Sequence, residues 1–259
     1  MDLGIAGRTA IVCASSRGLG RASATALAEA GCHVIVNGRD AKVVQATADE
    51  IKAKTGAKVT PVAADLATPE GQAALFAAAP EPDILVNNNA GPPPRDFREL
   101  TRDQMIDGVI ANMVIAIELV QKAIGPMTAK KFGRIINITS GTVKLPQAGL
   151  DLSSGARGGL TIFLAGVARA VAANNITINN LLPGAFETDR LKTVLGAAAK
   201  RNGKSYEDAR AERIASIPAR RLGDLEGFGA TCAFLCSARA GFITAQNITI
   251  DGGAFPGAF

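Results

Sequence analysis

The chain has 259 residues, of which 47% are hydrophobic and 20% charged, enough apolar material for one large α/β core and too much for a disordered chain. Aromatics make up 4%, with no Trp and a single Tyr, so a stacking platform for single-stranded nucleic acid is not expected. The net charge of +5 is spread along the chain, not blocked, which suits small anionic ligands better than nucleic acid.

The first apolar run, Arg8 to Cys13, reads as a strand. A Ser/Gly turn follows, then an Ala-rich helix from about Leu19 to Ala30, closed by Gly31. A second buried strand covers His33 to Asn37. The alternation then repeats: helix 41–54, strand 58–64, helix 69–78, strand 83–87, helix 101–130, strand 133–139, helix 153–173, strand 176–182. Strands and helices in turn make a parallel sheet with helices on both faces, and continuously apolar strands fit burial on both sides. No linker interrupts the pattern, so 1–259 reads as one domain. The segment 187–219 breaks the alternation; it is helical, charged and holds Tyr206. Ligands of open α/β sheets bind beyond the carboxyl ends of the strands, so a segment inserted there is expected to act as a lid, with a packed surface helix pair as the alternative.

The four cysteines, at 13, 32, 232 and 236, form no Cys-x-x-Cys pair, and His33 is the single histidine, so no metal site is expected. Cys232 and Cys236 are spaced as core fillers on one helix face. The start lacks a basic segment followed by a long apolar one, and no run of 18 apolar residues occurs; a cytoplasmic location without membrane contact is expected.

After the first strand comes Cys13-Ala-Ser-Ser-Arg-Gly-Leu-Gly20. Gly18 and Gly20 let the backbone turn tightly, and the helix that opens there offers free N–H groups to an anion. This turn resembles the Thr-Gly-x-x-x-Gly-x-Gly turn of the short-chain dehydrogenase/reductase family, with Cys13 and Ala14 standing for Thr and the first Gly. Further resemblances follow in order: Asp65-Leu66, Asn88-Asn-Ala-Gly91 with an extra Asn87 before it, Asn112, Gly133-Arg-Ile-Ile-Asn-Ile-Thr-Ser140, Asn180-Leu-Leu-Pro-Gly184 with Thr188, and Gly241 through Asp251-Gly-Gly253. The segment Arg220-Arg-Leu-Gly-Asp-Leu-Glu226 is similar to that of 3-oxoacyl-carrier-protein reductases. The resemblance implies a single-domain Rossmann fold with a doubly wound, mostly parallel seven-stranded sheet. It also implies a homodimer or homotetramer, and a nicotinamide cofactor held by Ser15, Arg17, Gly18, Leu19, Gly20, Arg39, Asp65, Leu66, Asn88, Ala90, Gly91, Arg157, Pro183, Gly184 and Thr188.

The second strand ends Val36-Asn37-Gly38-Arg39, with no carboxylate before Asp40. An acid there would bind the ribose 2′-hydroxyl of NAD. Arg39 and Arg17 suit the 2′-phosphate instead, so NADP(H) is favoured over NAD(H), with Asp40 on the ribose as the alternative.

The family's chemistry uses a Tyr as proton carrier, a Lys four residues later, a Ser and an Asn. The resemblance aligns these on Ser153, Arg157, Ser140 and Asn112. A phenol starts near a pKa of ~10 and a cation pulls it down. Ser153 is shorter and less acidic, and an Arg holds its proton to above ~12. Tyr206, Lys144 and Asp151 are weighed as substitute donors, against plain surface roles for each; His33 lies on the adenine side and is set aside. Two main readings follow for a chain that takes a small carbonyl or alcohol substrate: an NADP(H)-dependent oxidoreductase with a degenerate proton donor, or an NADP-binding module without turnover. A non-redox lyase in the same cleft is a third, with no residue to support it.

Overall fold

The structure is a computed structural model and describes residues 1–258. The apolar runs become seven strands: β1 (Thr9–Val12), β2 (His33–Gly38), β3 (Val59–Ala63), β4 (Ile84–Asn87), β5 (Gly133–Ile138), β6 (Ile176–Pro183) and β7 (Asn247–Ile250). They form one sheet in the order β3-β2-β1-β4-β5-β6-β7, every neighbouring pair parallel. Alternate side chains go to opposite faces. Ala10, Val12, Val34, Val36, Ile84 and Val86 enter one buried layer, while Ile11, Ile35, Leu85 and Ile135 enter the other.

The helices are α1 (Gly18–Glu29), α2 (Ala41–Thr55), α3 (Pro69–Ala78), α4 (Arg102–Val109), α5 (Ile115–Lys130), α6 (Asp151–Val171), α7 (Asp189–Arg201), α8 (Tyr206–Ala215) and α9 (Leu225–Leu235). Leu27 of α1, Ile51 of α2 and Phe228 and Cys232 of α9 close the first layer; Leu75 of α3, Leu119 and Met127 of α5 and Leu160 and Leu164 of α6 close the second. The stretches Arg102–Lys130 and Asp151–Asn174 are long and apolar enough to cross a membrane by composition; here their apolar faces pack on the sheet.

The sequence predicts a single helix over 101–130. The structure divides it into α4 and α5, joined by a π-helical turn at Ile110–Val114. The wider turn carries Asn112, buried, with its Nδ2 donating to the Gly108 carbonyl at 3.3 Å.

Strand order reverses between β1 and β4. The segments leaving these two strands part to opposite sides, which opens a crevice at their carboxyl ends.

Candidate active site

The turn after β1 owes its shape to two left-handed residues, Ala14 at φ +43° and Gly18 at φ +55°. Ser15 is fully buried and holds the turn together: its Oγ donates to the Val12 carbonyl at 2.6 Å and accepts from the Asn37 N–H at 2.9 Å. Gly20 is needed for close approach, since a Cβ there would lie 2.5 Å from the Ala14 carbonyl oxygen. Asp40, Thr68, Thr188 and Asp224 cap the N-termini of α2, α3, α7 and α9 with side-chain oxygens. No side chain caps α1, whose first turn also lacks an acid. Its leading N–H groups are left for an external acceptor.

Beside this turn lies a cleft of about 560 Å³. One end is lined by Ser16, Arg17, Gly38, Arg39, Asp65 and Leu66. A Cβ at Gly38 would stand 2.8 Å from Val44 Cγ2 and 2.9 Å from Ser16 Oγ, so a side chain there would have to push both aside. Asp40 is outside the lining; its Oδ1 accepts from the N–H groups of Lys42 and Val43 at 2.9 and 3.2 Å.

An asparagine ladder crosses the sheet, and two of its members, Asn87 and Asn137, line the cleft. Asn87, Asn137, Asn180 and Asn247 stand level on β4, β5, β6 and β7. Nδ2 of each donates to Oδ1 of the next, at 2.9, 2.9 and 2.8 Å. Asn87 and Asn112, each 5% exposed, keep their Oδ1 atoms without a partner among the described residues, and both line the cleft. The sequence leaves the register of the Asn-rich turn open by one residue. In the structure Asn87 belongs to the ladder, and Asn88 reaches the phosphate turn, its Nδ2 donating to the Ala14 carbonyl at 3.1 Å.

At the other end, α6 places Arg157 one turn after Ser153. Arg157 Nη1 donates to Ser153 Oγ at 3.2 Å and Nη2 to the Asn89 carbonyl at 3.1 Å. Burial, then the charge of Arg190, pull this guanidinium down to about 10, so it remains a cation at neutral pH. Ser140 caps a short turn after β5, its Oγ accepting from Thr142 N and Thr142 Oγ1 at 3.2 and 2.9 Å. From α7, Arg190 reaches the carbonyls of Gly91 and Pro92, both at 3.2 Å.

Of the residues expected at the site, Arg17, Arg39, Asp65, Leu66, Asn88, Ala90, Asn112 and Arg157 line the cleft. Ser15, Gly18, Leu19, Gly20, Gly91, Ser140, Ser153, Pro183, Gly184 and Thr188 lie outside its lining. Gly184 packs on Asp251, and the Thr188 methyl is 3.6 Å from where a Gly18 Cβ would be. Tyr206 opens α8 and does not line the cleft, Lys144 stacks over the Phe255 ring, and Asp151 accepts from the Gly149 N–H. His33 bonds Thr60 Oγ1 at the start of β2. Sequence reasoning missed Ser16, Asn137 and Arg190. The Thr188 motif next to Arg190 was the one available signal for the last.

A reversed strand order, a glycine turn and an uncapped helix at the switch point define a dinucleotide-binding α/β protein. A family model described as Enoyl-(Acyl carrier protein) reductase matches residues 13–254. The NADPH-dependent reductase BacG of Bacillus subtilis is 31% identical over 252 residues, covering 95% of this chain and 97% of BacG. The 3-oxoacyl-[acyl-carrier-protein] reductase FabG of Vibrio cholerae is 29% identical, with 98% and 99% covered. The crystal structure of L-sorbose reductase from Gluconobacter frateurii, complexed with NADPH and L-sorbose, superposes with a TM-score of 0.93 at 27% identity, covering 99% of this chain and 100% of that one. The chain belongs to the short-chain dehydrogenase/reductase family.

Proposed function

We propose that this chain is an NADP(H)-dependent oxidoreductase acting on the carbonyl or secondary-alcohol carbon of a small molecule, with a degenerate proton donor. The observation that carries the cofactor choice is the pairing of Arg17 and Arg39 in the cleft wall while Asp40 is spent capping α2. The relatives named for NADPH support it. Bound NADP(H) supplies or takes the hydride.

The chain's own residues do the rest. Ser15, Gly18, Leu19 and Gly20 shape the turn and the α1 N-terminus that take the pyrophosphate; Arg17 and Arg39 take the 2′-phosphate. Asp65 and Leu66 flank the adenine. Asn88, Ala90, Gly91 and Arg157 serve the ribose near the reacting carbon, and Pro183, Gly184 and Thr188 flank the nicotinamide. Ser140 and Ser153 orient the substrate oxygen, and Arg157 stabilises negative charge on it without giving up its own proton. Asn112 and Asn87 offer their unpartnered oxygens to water in the cleft. The proton reaches the substrate oxygen from Ser153 or water. The helices of 187–219 cover the substrate as the lid of a single 1–259 domain, working in the cytoplasm as a homo-oligomer.

The test is NADPH consumption at 340 nm over ketones, diketones, quinones and enones. Slow turnover, lost in Ser140→Ala, is expected. Installing both S153Y and R157K should raise the rate by roughly 100-fold, the scale of a positioned general acid. Tight NADPH binding with no consumption of any substrate would leave the binding-module reading in its place.

A further inference from the structure

Two guanidiniums meet beside Ser153 with no acid between them. Arg157 on α6 and Arg190 on α7 each come within 3.4 Å of the point where a Gly91 Cβ would stand, so the two guanidiniums flank the same glycine. Their partners are the Ser153 hydroxyl and the carbonyls of Asn89, Gly91 and Pro92. These oxygens are neutral; they satisfy N–H groups without cancelling charge. Neither arginine takes part in a salt bridge among the described residues. Arg190's charge already bears on Arg157 and depresses it. Two neighbouring cations, half-buried Arg157 and exposed Arg190, are relieved by an anion held between them.

The cofactor's anionic groups have places of their own, the uncapped α1 N-terminus and the Arg17–Arg39 pair. Arg157 lines the opposite end of the cleft from Arg17 and Arg39, and Arg190 approaches it there from α7. We propose that Arg157 and Arg190 form a carboxylate site, and that the substrate is an oxo acid, reduced to the matching hydroxy acid. The planar fork of each guanidinium fits a carboxylate with two parallel hydrogen bonds. The balance is oxo acid, NADPH and one proton giving hydroxy acid and NADP⁺, with the carboxylate unchanged. The inference rests on the reductase reading above and deepens it.

The probes are 2-oxopentanoate and 4-oxopentanoate, each beside its methyl ester. Wild type should favour acid over ester by roughly 100-fold in kcat/KM for at least one pair, the scale of a charge-assisted pair at a partly buried site. Arg190→Met should collapse that preference, and Arg190→Lys should restore part of it. NADPH affinity, read by calorimetry, separates the two ends of the cleft. A fall in NADPH affinity in Arg190→Met that accounts for the whole loss would overturn the proposal, as would equal handling of acid and ester in both pairs. Calorimetric titration of the same acids and esters into the NADP⁺-loaded chain needs no turnover. Acid binding that Arg190→Met weakens would uphold the carboxylate site even if no NADPH were consumed, a result that tells against the reductase reading alone.

Discussion

Ala14 sits where the chain turns left-handed, at φ +43°. There a Cβ crowds the next carbonyl, at about 1–2 kcal/mol for an L-residue. The sequence marks the same position as a family glycine, and the structure shows the backbone reason. Ala14→Gly should stabilise the protein by about 0.5–1 kcal/mol after glycine's extra freedom in the unfolded chain is subtracted. The expected readout is a Tm higher by about 1–3 °C. A Tm below wild type would mean that the methyl packs usefully. His33 offers a second residue-scale test, because it is the chain's single histidine. Burial, then Lys58, lower its pKa from the ordinary 6.5. Both states are neutral at that site above 6.5, so its contribution is fully present there. As pH falls below 6.5 the unfolded chain takes the proton first, and stability drops until the folded value is reached. Denaturant midpoints at pH 7 and pH 5 should therefore differ more for wild type than for His33→Gln; equal differences would remove His33 from the account.

At the scale of elements, the asparagine ladder binds four strands through their side chains. Asn137 is fully buried and uses both ends of its amide, accepting from Asn87 and donating to Asn180. Asn137→Ala removes both bonds and leaves a void, which should lower the unfolding free energy by about 2–4 kcal/mol in denaturant titration. A change under about 1 kcal/mol would mean that water takes over the amide's bonds. The ladder also explains what a sequence can and cannot disclose. Each apolar strand was legible alone, because burial on both faces writes itself as a continuous run, as in Ile84-Leu-Val86. The level of one asparagine against another was not, since it depends on the register of four parallel strands set by the packing of the helices between them. The π turn was hidden for a related reason: Arg102 to Lys130 keeps its apolar spacing on both sides of Asn112, and one residue more in a turn leaves little trace in the period. Glycine turns are local and could be read. Arg190 meeting Gly91 spans 99 residues and could not.

For the whole molecule, half of the large exposed apolar side chains among the described residues lie on α4, the π turn and α6. Met105, Ile106 and Val109 of α4, Ile110 of the π turn, and Ile162 and Phe163 of α6 all stand exposed, Ile162 at 77%. Their helices pack on each other through Gly108 and Leu152, where a Cβ on the glycine would come within 2.6 Å of the leucine side chain. That close approach sets the two helices side by side. Exposed apolar side chains on neighbouring helices suit burial against a second copy, and a two-fold pairing through α4 and α6 is the expected arrangement. Phe242, fully exposed, offers a separate point for a further contact that would distinguish a tetramer from a dimer. Light scattering of wild type at micromolar concentration should give a dimer or tetramer, with a Tm that rises with protein concentration. Ile162→Glu places a charge where the copies meet but leaves the core untouched, so it should shift the mass to a smaller species while far-UV circular dichroism keeps its shape. Because α6 also carries Ser153 and Arg157, the smaller species should lose activity along with its partner. A wild-type chain that scatters as a monomer would sink the pairing, and a dissociated variant with full activity would show that the site stands without it.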